Sequence, residues 1–131
     1  MSHGLVLVIE DNPINRRLVY DVLCVAGYEV IEASNAEDGI EAARRHRPHV
    51  ILLDIQLPGG IDGLEAVKIL KHDGETMAIP IVAVTAFAMR EDRQRALDAG
   101  FDGYLEKPID IQALRVEVQR FVGSMGEASD A

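Results

Sequence analysis

Five segments of strand length, three of them unbroken apolar runs, alternate along this chain with stretches that read as helices. Leu5–Ile9, Tyr28–Ala33, Val50–Leu53, Ile81–Val84 and Gly103–Glu106 have strand length. An unbroken apolar run of that length reads as a parallel strand covered on both faces. Asn12-Pro13 opens a first helix, with Ile14, Leu18, Val22 and Val25 as its inward stripe and Gly27 as its stop. Ser34 with Glu37 three residues on is a capping-box signature for a second helix that runs to about His46, where Arg47-Pro48 ends it. A loop carrying Pro58, Gly59 and Gly60 precedes a third helix from about Leu64, with Val67 and Leu70 inward, and Pro80 closes the next connection. Arg90–Ala99 is a fourth helix stopped by Gly100, and a fifth aligns Ile111, Leu114, Val118 and Phe121 on one face. Strands alternating with helices force parallel pairing with right-handed crossovers. The expected fold is therefore α/β: a doubly wound, flavodoxin-like sheet of five parallel strands in the order 2-1-3-4-5. Such a sheet has a crevice at the carboxyl ends of strands one and three.

The 131 residues suit one domain, expected over 1–122, with 123–131 a flexible polar tail. The longest apolar runs are far shorter than a bilayer span, and the start of the chain leads straight to Glu10 and Asp11, which no signal peptide carries. No membrane association and a cytoplasmic location are expected. Cys24 is the single cysteine, so an internal disulfide and a cysteine-built metal site are both excluded, and its expected role is a small residue packed on a helix. The formal charge of −9 repels polyanions, which argues against direct DNA binding.

The order of elements brings Glu10 and Asp11 after strand one, Asp54 at the end of strand three, Thr85 at the end of strand four and Lys107 at the end of strand five. All five share one rim. Each residue alone is a turn former or cap as readily as a functional group. Together, three converging carboxylates repel one another, and a bound divalent cation or raised pKa values relieve that repulsion. Oxygen-only ligands point to Mg²⁺, which takes one or two carboxylates and phosphoryl oxygens. Asp54, ionised near neutral pH, can attack phosphorus, while Lys107 pairs with one phosphoryl oxygen and Thr85 donates to another.

These residues resemble the receiver domains of two-component response regulators over about Leu5 to Val122. The resemblance rests on Glu10-Asp11, on Asp54 within Leu53-Asp54-Ile55-Gln56-Leu57-Pro58, on Thr85-Ala86, and on Tyr104 three residues before Lys107-Pro108. It implies that Asp11, Asp54 and the backbone carbonyl of Gln56 touch the metal, with Glu10 reaching it through water. It further implies that Thr85 and Tyr104 form a switch pair that reshapes the surface of helix four, strand five and helix five, which a downstream protein target then reads. Without the resemblance, Tyr104 reads as an ordinary half-buried strand aromatic. Glu10–Asn15 and Val82–Met89 are similar to DivK-type single-domain regulators and to receivers of hybrid histidine kinases. Gly63 falls nine residues after Asp54, where the family pattern usually has eight, because Gly59-Gly60 adds one.

With no glycine-rich nucleotide loop in the sequence, the phosphate donor is expected to be a sensor histidine kinase or a histidine phosphotransfer protein. The alternative is a Mg²⁺-dependent phosphohydrolase with an aspartate nucleophile, but Gln56 stands where that chemistry places a second aspartate. A flavin carrier is disfavoured because Glu10 and Asp11 would repel its phosphate. His3, His46, His49 and His72 are scattered and expected to be solvated, and Arg44–Arg47 suits a helix C-terminus. Phe87 and Met89 read equally as packed loop residues or as part of a docking face.

Overall fold

A computed structural model describes residues 3–86 and 90–130, apart from the side chains of 124–130. The expected pair Phe87 and Met89 lies outside the described residues. The elements are β1 (Leu5–Ile9), α1 (Pro13–Val25), β2 (Glu29–Ala33), α2 (Ala36–His46), β3 (Val50–Asp54), α3 (Gly63–Lys71), β4 (Ile81–Thr85), α4 (Arg90–Ala99), β5 (Gly103–Glu106) and α5 (Ile111–Asp130). The bounds of α5 take in most of the stretch expected as a tail. The strands form one parallel sheet in the order β2-β1-β3-β4-β5, as expected.

Because strand side chains alternate between faces, each apolar run feeds two cores. Leu7, Ile9, Ile51, Leu53, Ile81 and Ala83 pack with Ile40 of α2, Val67 and Leu70 of α3 and Ala96 of α4. Val6, Val8, Val50, Leu52, Val82 and Val84 pack with Val19 and Leu23 of α1 and Leu114 and Val118 of α5. Burial on both faces is why β1, β3 and β4 show no polar alternation, whereas the edge strands β2 and β5 include exposed glutamates.

Several local expectations are corrected. In α1 the buried residues are Val19 and Leu23, with the expected Val22 packed partly buried against the same core, whereas Ile14 and Val25 are 78% and 90% exposed and Leu18 lies at the surface. Apolar residues stand on more than one side of this helix, and periodicity alone does not say which side meets the sheet. The rotation follows from Asn12, whose side chain caps the Ile14 and Asn15 amides at 2.9 and 3.1 Å. Cys24 lies on the outer side and is exposed. The cap of α2 is Asn35, not Ser34: its Oδ1 accepts from the Asp38 amide at 2.8 Å and its Nδ2 donates to Asp38 Oδ2 at 3.0 Å. Helix α3 begins at Gly63, one residue early, capped by Asp62. Ile111 is 48% exposed because α5 turns only Leu114, Val118 and Val122 fully into the core. His49 is held in the structure, its Nδ1 accepting from the Leu5 amide at 3.0 Å.

Candidate functional site

Hydrogen bonding of β1 to β3 sets the ends of these two strands side by side. Glu10 leaves β1, Asp11 begins the turn into α1, and Asp54 closes β3. One oxygen from each carboxylate lies within 4.8 Å of the others. Glu10 and Asp54 are buried and Asp11 is exposed, so the cluster is anchored below and open above.

Lys107 comes to the same point from β5. Its backbone amide donates to the Thr85 carbonyl at 2.8 Å, which fixes the chain after β5 against the end of β4. Its Nζ then stands 2.8 Å from Glu10 Oε1 and 3.0 Å from Asp54 Oδ2. The peptide bond after it, to Pro108, is cis. Burial pushes the Glu10 carboxyl up to about 7, the neighbouring Asp54 adds to the rise, and the Lys107 ammonium and the Asn12 amide oppose it. For Lys107 burial acts downward, but the two carboxylates outweigh it and its pKa ends above the ordinary lysine value.

One ammonium against three carboxylates leaves this corner short of positive charge. An all-oxygen donor set with one exposed member suits a hard divalent cation of the Mg²⁺ type. Gln56 lies beside it: its amide donates to Asp54 Oδ1 at 2.9 Å, so Asp54 is held on one oxygen by a backbone N–H and on the other by Lys107. Thr85 is buried at the end of β4, next to the end of β3. Tyr104 lies one strand further out, half-buried on β5, with its ring 5.5 Å from the Arg93 guanidinium. Burial raises the Tyr104 hydroxyl pKa, Asp92 and Glu106 add to it, and Arg93 acts against it.

Three supporting contacts are not foreseen from the sequence. Arg16 Nη1 donates to the Glu10 carbonyl at 2.9 Å, and the Asn12 amide donates to Glu10 Oε2 at 3.1 Å. Both come from the first turn of α1, where a cap motif signals a helix start but not which loop oxygen it holds. The third is Gly63. Its amide donates to the Ile55 carbonyl at 2.9 Å, and a methyl group there would stand 2.3 Å from the Asp54 carbonyl oxygen and 2.5 Å from Ile55 Cα. The additional loop residue is therefore absorbed between Gln56 and Asp62, before the chain presses against Asp54.

Backbone cannot give way as a side chain can, so Gly63→Ala is expected to cost about 1–3 kcal/mol, a fall of roughly 5 °C or more in thermal midpoint. Gly74→Ala, where nothing stands within 4 Å of the added methyl, serves as the control for helix and loop propensity. Equal midpoints for the two variants would show that the loop yields.

Residues 6–119 match the family model for the response regulator receiver domain. The polar-differentiation response regulator DivK of Brucella anthropi is 42% identical over 118 residues, 90% of this chain and 95% of that protein. DivK of Brucella ovis is 40% identical over the same extent. Among solved structures, the receiver domain of a Pseudomonas aeruginosa sensor histidine kinase, with a magnesium ion coordinated in its active site cleft, superposes with a TM-score of 0.84 at 33% identity. The match covers 92% of this chain and 98% of that one. The chemotaxis response regulator CheY4 of Vibrio cholerae gives 0.84 at 30% identity, covering 90% of this chain and 98% of its own.

Proposed function

The chain belongs to the family of response regulator receiver domains, a family of signalling proteins rather than classical enzymes, and on that premise we propose that it is a phospho-acceptor switch. Asp54 takes the phosphoryl group from a sensor histidine kinase or a histidine phosphotransfer protein, in the cytoplasm. The observation that carries this reading is the three-carboxylate corner with Lys107 bound to both of its buried members.

In the transfer, an Asp54 carboxylate oxygen forms the new O–P bond while the P–N bond of the donor phosphohistidine breaks, and the imidazole nitrogen keeps the electron pair. The Gln56 amide and the Lys107 ammonium hold the two Asp54 oxygens in place beforehand. Lys107 is then placed to pair with a phosphoryl oxygen, and the Thr85 hydroxyl, buried on the neighbouring strand, donates to another. Asp11 and Asp54, with the Gln56 carbonyl, would hold Mg²⁺, and Glu10 would hold it through water. When bound, the ion neutralises charge on the transferring group. Thr85 and Tyr104 act as the switch pair, and the α4-β5-α5 face carries the outcome to a downstream protein target without direct DNA binding. The receiver unit is 1–122, with 123–131 outside it. Among the described residues no helix is long and apolar enough to cross a membrane.

The phosphohydrolase alternative gains nothing from the geometry: Gln56 approaches Asp54 through its backbone amide, and its side chain is exposed. The test is transfer from a ³²P-labelled histidine phosphotransfer protein. Label should move to this chain in Mg²⁺ and stay on the donor in EDTA. Multiple turnover of a phosphate ester, without stable labelling of the chain, would favour the hydrolase instead.

A further inference from the structure

Helix α4 is weakly fastened. Seven of its ten residues, Arg-Glu-Asp-Arg-Gln-Arg-Ala-Leu-Asp-Ala, are polar or charged; Ala96 is its one fully buried residue among those described, and Ala99 packs partly buried on the same core. A methyl group buries little area, so the hydrophobic effect holds this helix less than it holds its neighbours. A second tie comes from Arg93 in the first turn, whose guanidinium carbon lies 5.5 Å from the centroid of the Tyr104 ring. Acidic groups near the ring, Asp92 and Glu106, favour a cation over it. Asp92, the nearest acid in sequence, is engaged by Arg95 at 3.9 Å, one turn along the helix. Glu106, also near Tyr104, adds negative potential around the ring and favours a cation there. Tyr104 itself packs on the core shared by α2, α3 and α4 and pairs in register with Ala83 of β4.

We infer that Arg93 is a positioning residue for Tyr104: the guanidinium–ring contact couples the seating of α4 to the placement of the β5 aromatic. Movement of the ring then loosens α4, and loosening of α4 frees the ring. The inference rests on the proposed switch role of Tyr104 for its functional meaning, but the coupling itself is a property of the unphosphorylated chain.

Hydrogen exchange of the α4 amides from Gln94 to Asp98, in the full chain, tests it. Arg93→Gln should speed exchange there by about two- to fivefold, the equilibrium factor that a partly exposed cation–π contact carries. Arg93→Lys, which keeps a cation, should restore much of the protection. Tyr104→Leu keeps apolar bulk without a ring and should speed the same amides, and the double variant Arg93→Gln/Tyr104→Leu should be no faster than either single one. Additive effects in the double variant, or α4 exchange unchanged by Arg93→Gln, would overturn the coupling. A beryllofluoride arm separates this from the switch reading. If Mg²⁺ and beryllofluoride leave α4 exchange of the unmutated chain untouched, the switch role fails, whereas the coupling is decided by the cycle without them.

Discussion

Asp54→Asn is expected to abolish phosphoryl uptake, lowering the rate of labelling from acetyl phosphate in Mg²⁺ by at least about three orders of magnitude, as loss of a nucleophile does. The variant keeps the shape of the side chain and one acceptor oxygen, so the Gln56 amide retains a partner. It removes a buried negative charge from a site that has more anions than cations, and the fold should therefore survive. Intact mass reads the adduct directly, and the circular dichroism of the variant shows whether it is folded. Labelling that persists at the normal rate in the folded variant would move the acceptor to another residue, Asp11 first among them.

The second large effect concerns Lys107. Replacing it with methionine keeps the stem and removes the ammonium that lies 2.8 and 3.0 Å from two buried carboxylates. Breaking one partner out of a buried ion cluster typically costs about 3 kcal/mol, so Lys107→Met should be destabilised by roughly that amount at pH 8 in EDTA. Near pH 5 Glu10 takes up a proton and most of the penalty disappears. The unmutated chain should show a milder version of the same dependence. The folded Glu10 carboxyl titrates at about 7 against 4.5 as its ordinary value, so its contribution to stability is complete below about pH 4.5 and is lost as pH rises through about 7. By linkage the window is worth roughly 3 kcal/mol at most. Urea unfolding in EDTA at pH 5, 6, 7 and 8 checks both chains. Stability that is flat across this range in both would mean that Glu10 is not strained by its neighbours, and the electrostatic account of the corner would fail with it.

Much of this arrangement is legible in the sequence because the three central apolar runs are short, separate and uninterrupted. Parallel pairing follows from the alternation of elements, and parallel pairing puts the carboxyl ends of all strands, with Glu10, Asp54, Thr85 and Lys107, on one rim. What stays illegible is rotation and second-layer contact. Ile14, Leu18, Val22 and Val25 make as good a stripe on paper as Val19 and Leu23, and only the turn after Asp11 decides between them. Ser34 and Asn35 are both competent caps, and Asn35, extended at the helix entrance, is the one whose side chain reaches the Asp38 amide. Arg16 carries no motif that tells of its bond to the Glu10 carbonyl. Gly63 is visible as a spacing irregularity, but its contact with Asp54 becomes apparent only when a methyl group is imagined there.

The cation that steadies the corner is contributed by the last strand, while the anions come from the first and third. The balance of the corner thus hangs on the last crossing of the sheet: without the residue that follows β5, the buried carboxylates of Glu10 and Asp54 lose the ammonium that lies against both.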